Sequence, residues 1–162
     1  MVSVMTPSTG VEWDKLSFAS TLYLYPIIDT LLERAPSQMR DDLRLGLQEA
    51  LVNAAKHGNC LDPSKYVCVY HAEVQGCYWW VITDQGSGFD IPSGCRACPE
   101  GDSGDDTGDC GRGLFILHQI FDQVHWSPKG NEVRLCKRLS RWPSWLTWWQ
   151  GMRLSKGPIA VG

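Results

Sequence analysis

One stretch constrains this chain more than any other: Leu45-Gly46-Leu47-Gln48-Glu49-Ala50-Leu51-Val52-Asn53-Ala54-Ala55-Lys56-His57-Gly58-Asn59. Leu47, Ala50, Leu51 and Ala54 recur at helical spacing, so the segment carries an apolar face that must pack on another layer. Glu49, Asn53 and His57 lie four residues apart and therefore share a second face. A carboxylate, a carboxamide and an imidazole in one row suit a Mg²⁺–phosphate site, with an oxygen ligand for a hard cation beside a base. The same row also describes the solvated side of an ordinary amphipathic helix. His57 has a further reading as a simple cap, because a helix C-terminus favours a cation.

The elements around this helix follow from period and punctuation. Leu16 to Ser20 reads as a short strand, and Leu22 to Ala35 as a helix with Pro26 in its first turn. Ser37 is the expected N-cap of the long helix, which runs to His57 and stops at Gly58. Lys65 to Ala72 alternates as a strand, Val74-Gln75-Gly76 turns into the strand Cys77 to Thr83, and Gln123–Trp126 and Glu132–Leu139 are two more strands. Leu114 to Phe121 reads as a helix. Residues Ile91 to Asp109 are rich in Gly, Asp, Ser and Pro without a period, which reads as a mobile loop. This order predicts helices layered on one face of a mixed sheet.

Two glycine-bearing segments join the polar row. The apolar strand Trp79–Thr83 ends in Asp84-Gln85-Gly86-Ser87-Gly88-Phe89. Its two glycines suit a sharp bend or a close backbone approach. Asp84, at the strand end, is a natural acceptor for an exocyclic amine such as that of adenine. Taken alone the segment is also an ordinary turn. Further on, Gly111-Arg112-Gly113-Leu114 precedes an apolar helical run, and a glycine-rich turn at a helix N-terminus can cradle phosphate with its free N–H groups.

Together these residues resemble the GHKL ATP-binding fold, and more closely the anti-sigma-factor serine kinase family of bacteria. The family's N-box, E-x-x-x-N-A-x-x-H-G, is matched by Glu49, Asn53, Ala54, His57 and Gly58. Its D-x-G-x-G-F/I box is matched by Asp84, Gly86, Gly88 and Phe89, and its G-x-G-L/F box by Gly111, Gly113 and Leu114. Gly130 to Leu135 resembles the final strand of the fold. The resemblance covers roughly Leu16 to Leu139. It implies an α/β (α+β) two-layer sandwich, the Bergerat ATP-binding fold, with a mixed, mostly antiparallel sheet and helices on one face. On this reading residues 1–15 are an N-terminal tail, 16–139 an ATP-binding domain with a lid at 91–109, and 140–162 a Trp-rich basic extension. The related histidine kinases carry an upstream dimerisation domain, and with about 15 residues before the first strand that domain is expected to be absent here.

The resemblance also implies ATP and Mg²⁺ as cofactors. Asn53 would ligate Mg²⁺, Asp84 would accept the adenine N6–H, and Gly86 and Gly88 would let backbone approach the base. The amides of Gly111 to Leu114 would hold the phosphates, with Arg112 as an extra clamp, and Glu49 would act as general base. Family members usually carry a Thr backing the adenine-binding Asp; here Asn131 or Glu132 stands there, and Asn131 retains the capacity to donate or accept. The implied substrate is a small anti-anti-sigma (STAS) domain phosphorylated on Ser or Thr, the competing partner a sigma factor, and the assembly a homodimer. Two other readings remain at this stage, a simple ATPase and a partner-binding module with weak or no nucleotide binding.

Composition narrows the partners. A formal net charge of −3 argues against general nucleic-acid affinity. The charge is uneven: seven acids against Arg96 alone between Asp84 and Cys110, and five bases with no acid from Lys137 onward. An acidic lid would repel a triphosphate unless Mg²⁺ or a basic partner offsets it. Met1 to Gly10 lacks the features of a signal peptide, and the uncharged run Leu16–Ile28 is too short to span a bilayer, so a cytoplasmic location with reduced thiols is expected. Cys95 and Cys98 form a CxxC in the lid with Cys110 nearby, a pattern open to Zn²⁺, to a dithiol switch or to no role. His57 or His118 are the residues that would complete such a zinc site. The extension holds Trp142, Trp145, Trp148 and Trp149, which fits docking on the sheet or at an interface better than membrane contact.

Overall fold

A computed structural model describes residues 11–88 and 108–139. In chain order the elements are β1 (Asp14–Ala19), α1 (Tyr25–Leu31), α2 (Ser37–Val52), a π-helical turn (Asn53–Gly58), β2 (Tyr66–Val74), β3 (Cys77–Thr83), α3 (Gly108–Ile120), β4 (Gln123–Trp126) and β5 (Glu132–Arg138). The five strands form one sheet in the order β1-β2-β3-β5-β4. Every pairing among them is antiparallel, so among the described residues the sheet is not the mixed one expected. The helices pack on one face, giving the expected α/β two-layer sandwich.

The core lies between the layers. Val67, Val69, Trp80, Ile82, Val133 and Leu135 alternate onto the helix-facing side of the sheet and meet Ile28, Leu32, Leu43, Leu47, Leu51 and Leu117. Removing each such side chain from water contributes about 1.5–3 kcal/mol. Trp80 sits at the centre, stacked on Tyr78 with ring centroids 5.9 Å apart and edge-on to Phe121 at 5.8 Å. α2 and α3 approach closely because Gly46 has no side chain: a β-carbon there would lie 2.6 Å from Phe121 Cε2.

Several boundaries differ from those the sequence predicts. Pro26 is in the first turn of α1 as expected, but the helix spans only Tyr25–Leu31. Tight backbone bonds from Glu33 to Thr30 and from Ala35 to Leu32 end it, just before Pro36 excludes helical geometry from the preceding residue. Ser37 is not the cap of α2; Pro36 occupies that position and Ser37 is the first helical residue. The helical run ends at Gly58, one residue past His57, but Gly58 is not a left-handed stop. The helix widens into a π turn after Val52, and the chain leaves it through two consecutive left-handed residues, Cys60 and Leu61, each with φ of 55°. A 3.6-residue period carries no signature of that widening. The β2–β3 connection is the expected tight hairpin, with Gln75 (φ 51°) and Gly76 (φ 75°) both left-handed, as a two-residue turn that matches strand twist requires.

Because Gly46 lies where α2 meets α3, Gly46→Leu should overpack that contact. It should lower unfolding stability by about 1–3 kcal/mol, seen as a reduced urea midpoint with an unchanged slope.

Candidate functional site

Two chain segments meet where the π turn ends. A β-carbon at Gly58 would fall 2.5 Å from each carboxylate oxygen of Asp84, so only glycine lets the helix end rest on that side chain. A β-carbon at Gly86 would run into the Gly58 carbonyl, so the turn after β3 folds back onto the helix end. Gly88 combines φ of 84° with a similarly close approach to the Lys129 carbonyl. These glycines therefore serve close contact between protein segments. Asp84 itself is 7% exposed. Its Oδ1 accepts the Gly86 N–H at 2.8 Å, and Oδ2 accepts no hydrogen bond among the described residues. Burial raises the Asp84 pKa above the ordinary carboxylate value, partly offset by the Gly86 N–H and by Lys129 and Lys65. The result is a sheltered acceptor at the floor of the helix–strand junction.

Asn59 holds this junction together, and the sequence reading gave it no role. It is fully buried. Its Nδ2 donates to Ser20 Oγ at 2.7 Å and to the Tyr66 carbonyl at 3.0 Å. Its Oδ1 accepts the Gln85 N–H at 2.8 Å. Gln85 Oε1 in turn accepts the Tyr66 N–H at 2.7 Å. One carboxamide thus ties the end of β1, the start of β2 and the residue after Asp84 to the helix terminus. Its position directly after Gly58 was the available signal, but an Asn there also reads as a routine helix stop.

At the other end of the π turn, Glu49 and Asn53 come together against α3. A β-carbon at Gly113 would lie 3.1 Å from Glu49 Oε2, 3.6 Å from Asn53 Nδ2 and 3.9 Å from Asn53 Oδ1. Gly113 thus admits the carboxylate and the carboxamide side by side. Gly111 and Gly113 do not open the helix as expected, however. α3 begins at Gly108, so both glycines and Leu114 lie within its first turns. The four N–H groups left without intrahelical partners are then those of Gly108 to Gly111. His57, third in the polar row, is exposed, so the structure does not gather it with Glu49 and Asn53.

Asn131 reaches Asp84 through its main chain, its carbonyl accepting the Asp84 N–H at 3.0 Å. Its side-chain Oδ1 is occupied by Ser127 Oγ at 3.2 Å. Most of the lid, the thiols of Cys95, Cys98 and Cys110, the Arg112 side chain and the Trp-rich extension fall outside the described residues. Among the described residues there is no cluster of His, Cys, Asp or Glu suited to a metal ion, and no helix long and apolar enough to cross a membrane. A cleft of about 260 Å³ opens at the opposite end of the sheet, lined by Asp14, Arg34, His71 and Tyr78 among others. Its polar groups are engaged with one another, Arg34 with Asp14 at 3.2 Å and Tyr78 Oη with the Arg34 carbonyl at 2.7 Å. None of Glu49, Asn53 and Asp84 lines it.

Residues 28–137 match the family model described as a histidine kinase-like ATPase domain. No curated protein matches the chain.

Two outcomes are expected from this geometry. Asn59→Ala strips a buried partner from Gln85 N and the Tyr66 carbonyl. It should cost about 1–3 kcal/mol in thermal or urea unfolding. Asp84 gives a pH signature. A carboxyl whose pKa is raised by folding stabilises the fold below its unfolded pKa and loses that contribution as pH rises through its folded value. Asp84→Asn, which can still accept the Gly86 N–H, should therefore unfold at a higher temperature than the parent at neutral pH. The two should converge on acidification below the ordinary carboxylate pKa, read by melting curves across pH.

Proposed function

The chain belongs to the histidine kinase-like ATPase domain family, and on that premise we propose that it is an ATP-dependent protein serine/threonine kinase of the anti-sigma-factor type. The observation that carries this reading is the pair of polar stations on one helix. Asp84 is sheltered at the Gly58 end, and Glu49 and Asn53 stand together under Gly113 at the other. The six-residue π turn separates them. A base held at one end and phosphates at the other would use that separation.

The donor set fits a magnesium nucleotide. Asp84 Oδ2, which accepts no hydrogen bond among the described residues, would accept an adenine amino group, and guanine, with an oxygen at that position, would be rejected. Asn53 Oδ1 is a neutral oxygen ligand of the kind Mg²⁺ accepts beside phosphate oxygens. Mg²⁺ held there supplies charge neutralisation of the transferring phosphoryl group. The N–H groups of Gly108 to Gly111, without intrahelical partners at the start of α3, would bind phosphate oxygens. Glu49, beside Asn53, takes the proton from an incoming serine hydroxyl. As it does so, the hydroxyl oxygen bonds to the γ-phosphorus and ADP leaves with the electrons of the broken P–O bond. The acceptor protein is an anti-anti-sigma STAS domain and the competing partner a sigma factor, with the kinase acting as a homodimer.

One feature favours a sequestering module that binds nucleotide weakly: Asn131 offers Asp84 a main-chain bond where a Thr hydroxyl is usual, and its own side-chain oxygen is taken by Ser127. Incubation with γ-labelled ATP, Mg²⁺ and a set of STAS proteins from the same genome separates the readings. Label on a STAS serine or threonine is expected. Free phosphate alone would replace the kinase with an ATPase, and a stable complex with neither product would leave a binding module. In the same assay Glu49→Gln should slow transfer by roughly 10²–10⁴-fold while sparing nucleotide binding. Asn53→Ala should abolish Mg²⁺-dependent ATP binding in a calorimetric titration.

A further inference from the structure

The face of the sheet turned away from the helices has an apolar centre on β2 and β3, bordered by Lys15 on β1 and by Glu132, Arg134 and Arg138 on β5. By register, Tyr70 pairs with Val81, Ala72 with Trp79 and Val74 with Cys77 across β2 and β3. Trp79 then lies beside Cys136 on β5. Tyr66 and Cys68 extend the same face. All alternate with the core residues Val67, Val69, Trp80, Ile82 and Leu135, so β2 and β3 are apolar on both sides. An antiparallel sheet with one side in water alternates apolar with polar, whereas continuous apolar strands belong to sheets covered twice. Among the described residues the buried side chains of α1 and α2, with Leu117 and Ile120 of α3, join the cluster on the other side. Yet Cys136 is only 1% exposed, and Trp79 and Val81 are half-buried. Burial, with Cys77 against it, pushes the Cys136 thiol up to about 12. Tyr66 and Tyr70, at 51% and 37%, remain open. Apolar surface of this extent marks a docking site.

The chain itself supplies an occupant of matching chemistry. β5 ends at Arg138, and the Leu139 N–H is fixed to the Gly76 carbonyl at 2.8 Å. Leu139 thus lies by the β2–β3 hairpin, at the edge of the face beside Val74 and Cys77. Residues 140–162, which follow it in the sequence, contain Trp142, Trp145, Leu146, Trp148 and Trp149. Five strands about 4.8 Å apart make a sheet roughly 20 Å wide, which six or seven extended residues at about 3.3 Å each already cross. We propose that the Trp-rich segment after Leu139 folds back over the open face of the sheet and forms a third layer on Trp79, Val81 and Cys136. Its bases Arg141, Arg153 and Lys156 then lie at the margin, the polar rim of an apolar contact.

Photocrosslinking of the full-length chain tests this. With p-benzoylphenylalanine in place of Tyr70, irradiation should give a monomeric product in which position 70 is joined to a peptide from 140–162. That product should be lost when Trp145→Ser and Trp149→Ser are added to the same chain. A covalent dimer would assign the face to a second copy. Transfer of the crosslink to lipid in the presence of phosphatidylglycerol vesicles would assign the segment to a membrane surface. A monomer joined only within residues 11–139 would mean that the segment does not cover the face. Each of these three overturns the proposal.

Discussion

The contact on which the rest of this structure depends is the seating of a helix end on a buried carboxylate. Asp84 can stand at the end of β3 with little water around it because Gly58 and Gly86 present bare backbone to it and to each other. A side chain on either glycine would separate the helix from the strand. The carboxylate would then meet water, and the acceptor would lose the low-dielectric setting that makes a single hydrogen bond discriminating. The carboxamide of Asn59 fixes the arrangement from beneath, binding β1, β2 and the Asp84 turn through one fully buried group. Burial, glycine and one amide together define the site more than any single reactive residue does.

The π-helical turn gives this junction its geometry. It lies between Asn53, which is placed near α3, and Gly58, which is placed against Asp84. Bonds that skip one residue more than in an α-helix widen the helix locally, and such bulges recur at functional sites. The Asn59 N–H bonded to the Ala54 carbonyl at 2.9 Å is one such bond. The two left-handed residues that follow are the local cost of leaving the helix in that direction. Backbone conformation, usually a background to side-chain chemistry, here sets the distance between the two ends of the site.

Much of this was legible in the amino-acid sequence. The succession of strands and helices along the chain, the long helix and the hairpin at Gln75-Gly76 follow from period and spacing, because each rests on local geometry that residue types report directly. What was not legible rested on tertiary contact. Gly58 looked like a helix stop because nothing local reveals that Asp84 sits against it. Asn59 was given no role because its three side-chain partners come from three other parts of the chain. The start of α3 was set too late because apolar period begins at Leu114, whereas Gly108 to Gly113 carry little periodic signal and are helical in place. Ser37 was assigned a capping role on residue type, and Pro36 took the position by its fixed backbone angle.

The two-residue turn between β2 and β3 has a consequence beyond its size. In most antiparallel sheets, sliding one strand by a residue throws oily groups into water, and that penalty keeps the strands aligned. Here neighbouring positions are nearly interchangeable, Trp79 with Trp80 and Val81 with Ile82, so hydrophobicity discriminates poorly between the correct alignment and its nearest error. The left-handed pair Gln75-Gly76 takes over that duty. A lengthened loop at this point would let the whole downstream strand invert, sending Trp80 outward and leaving the acidic group at the end of β3 facing the wrong layer.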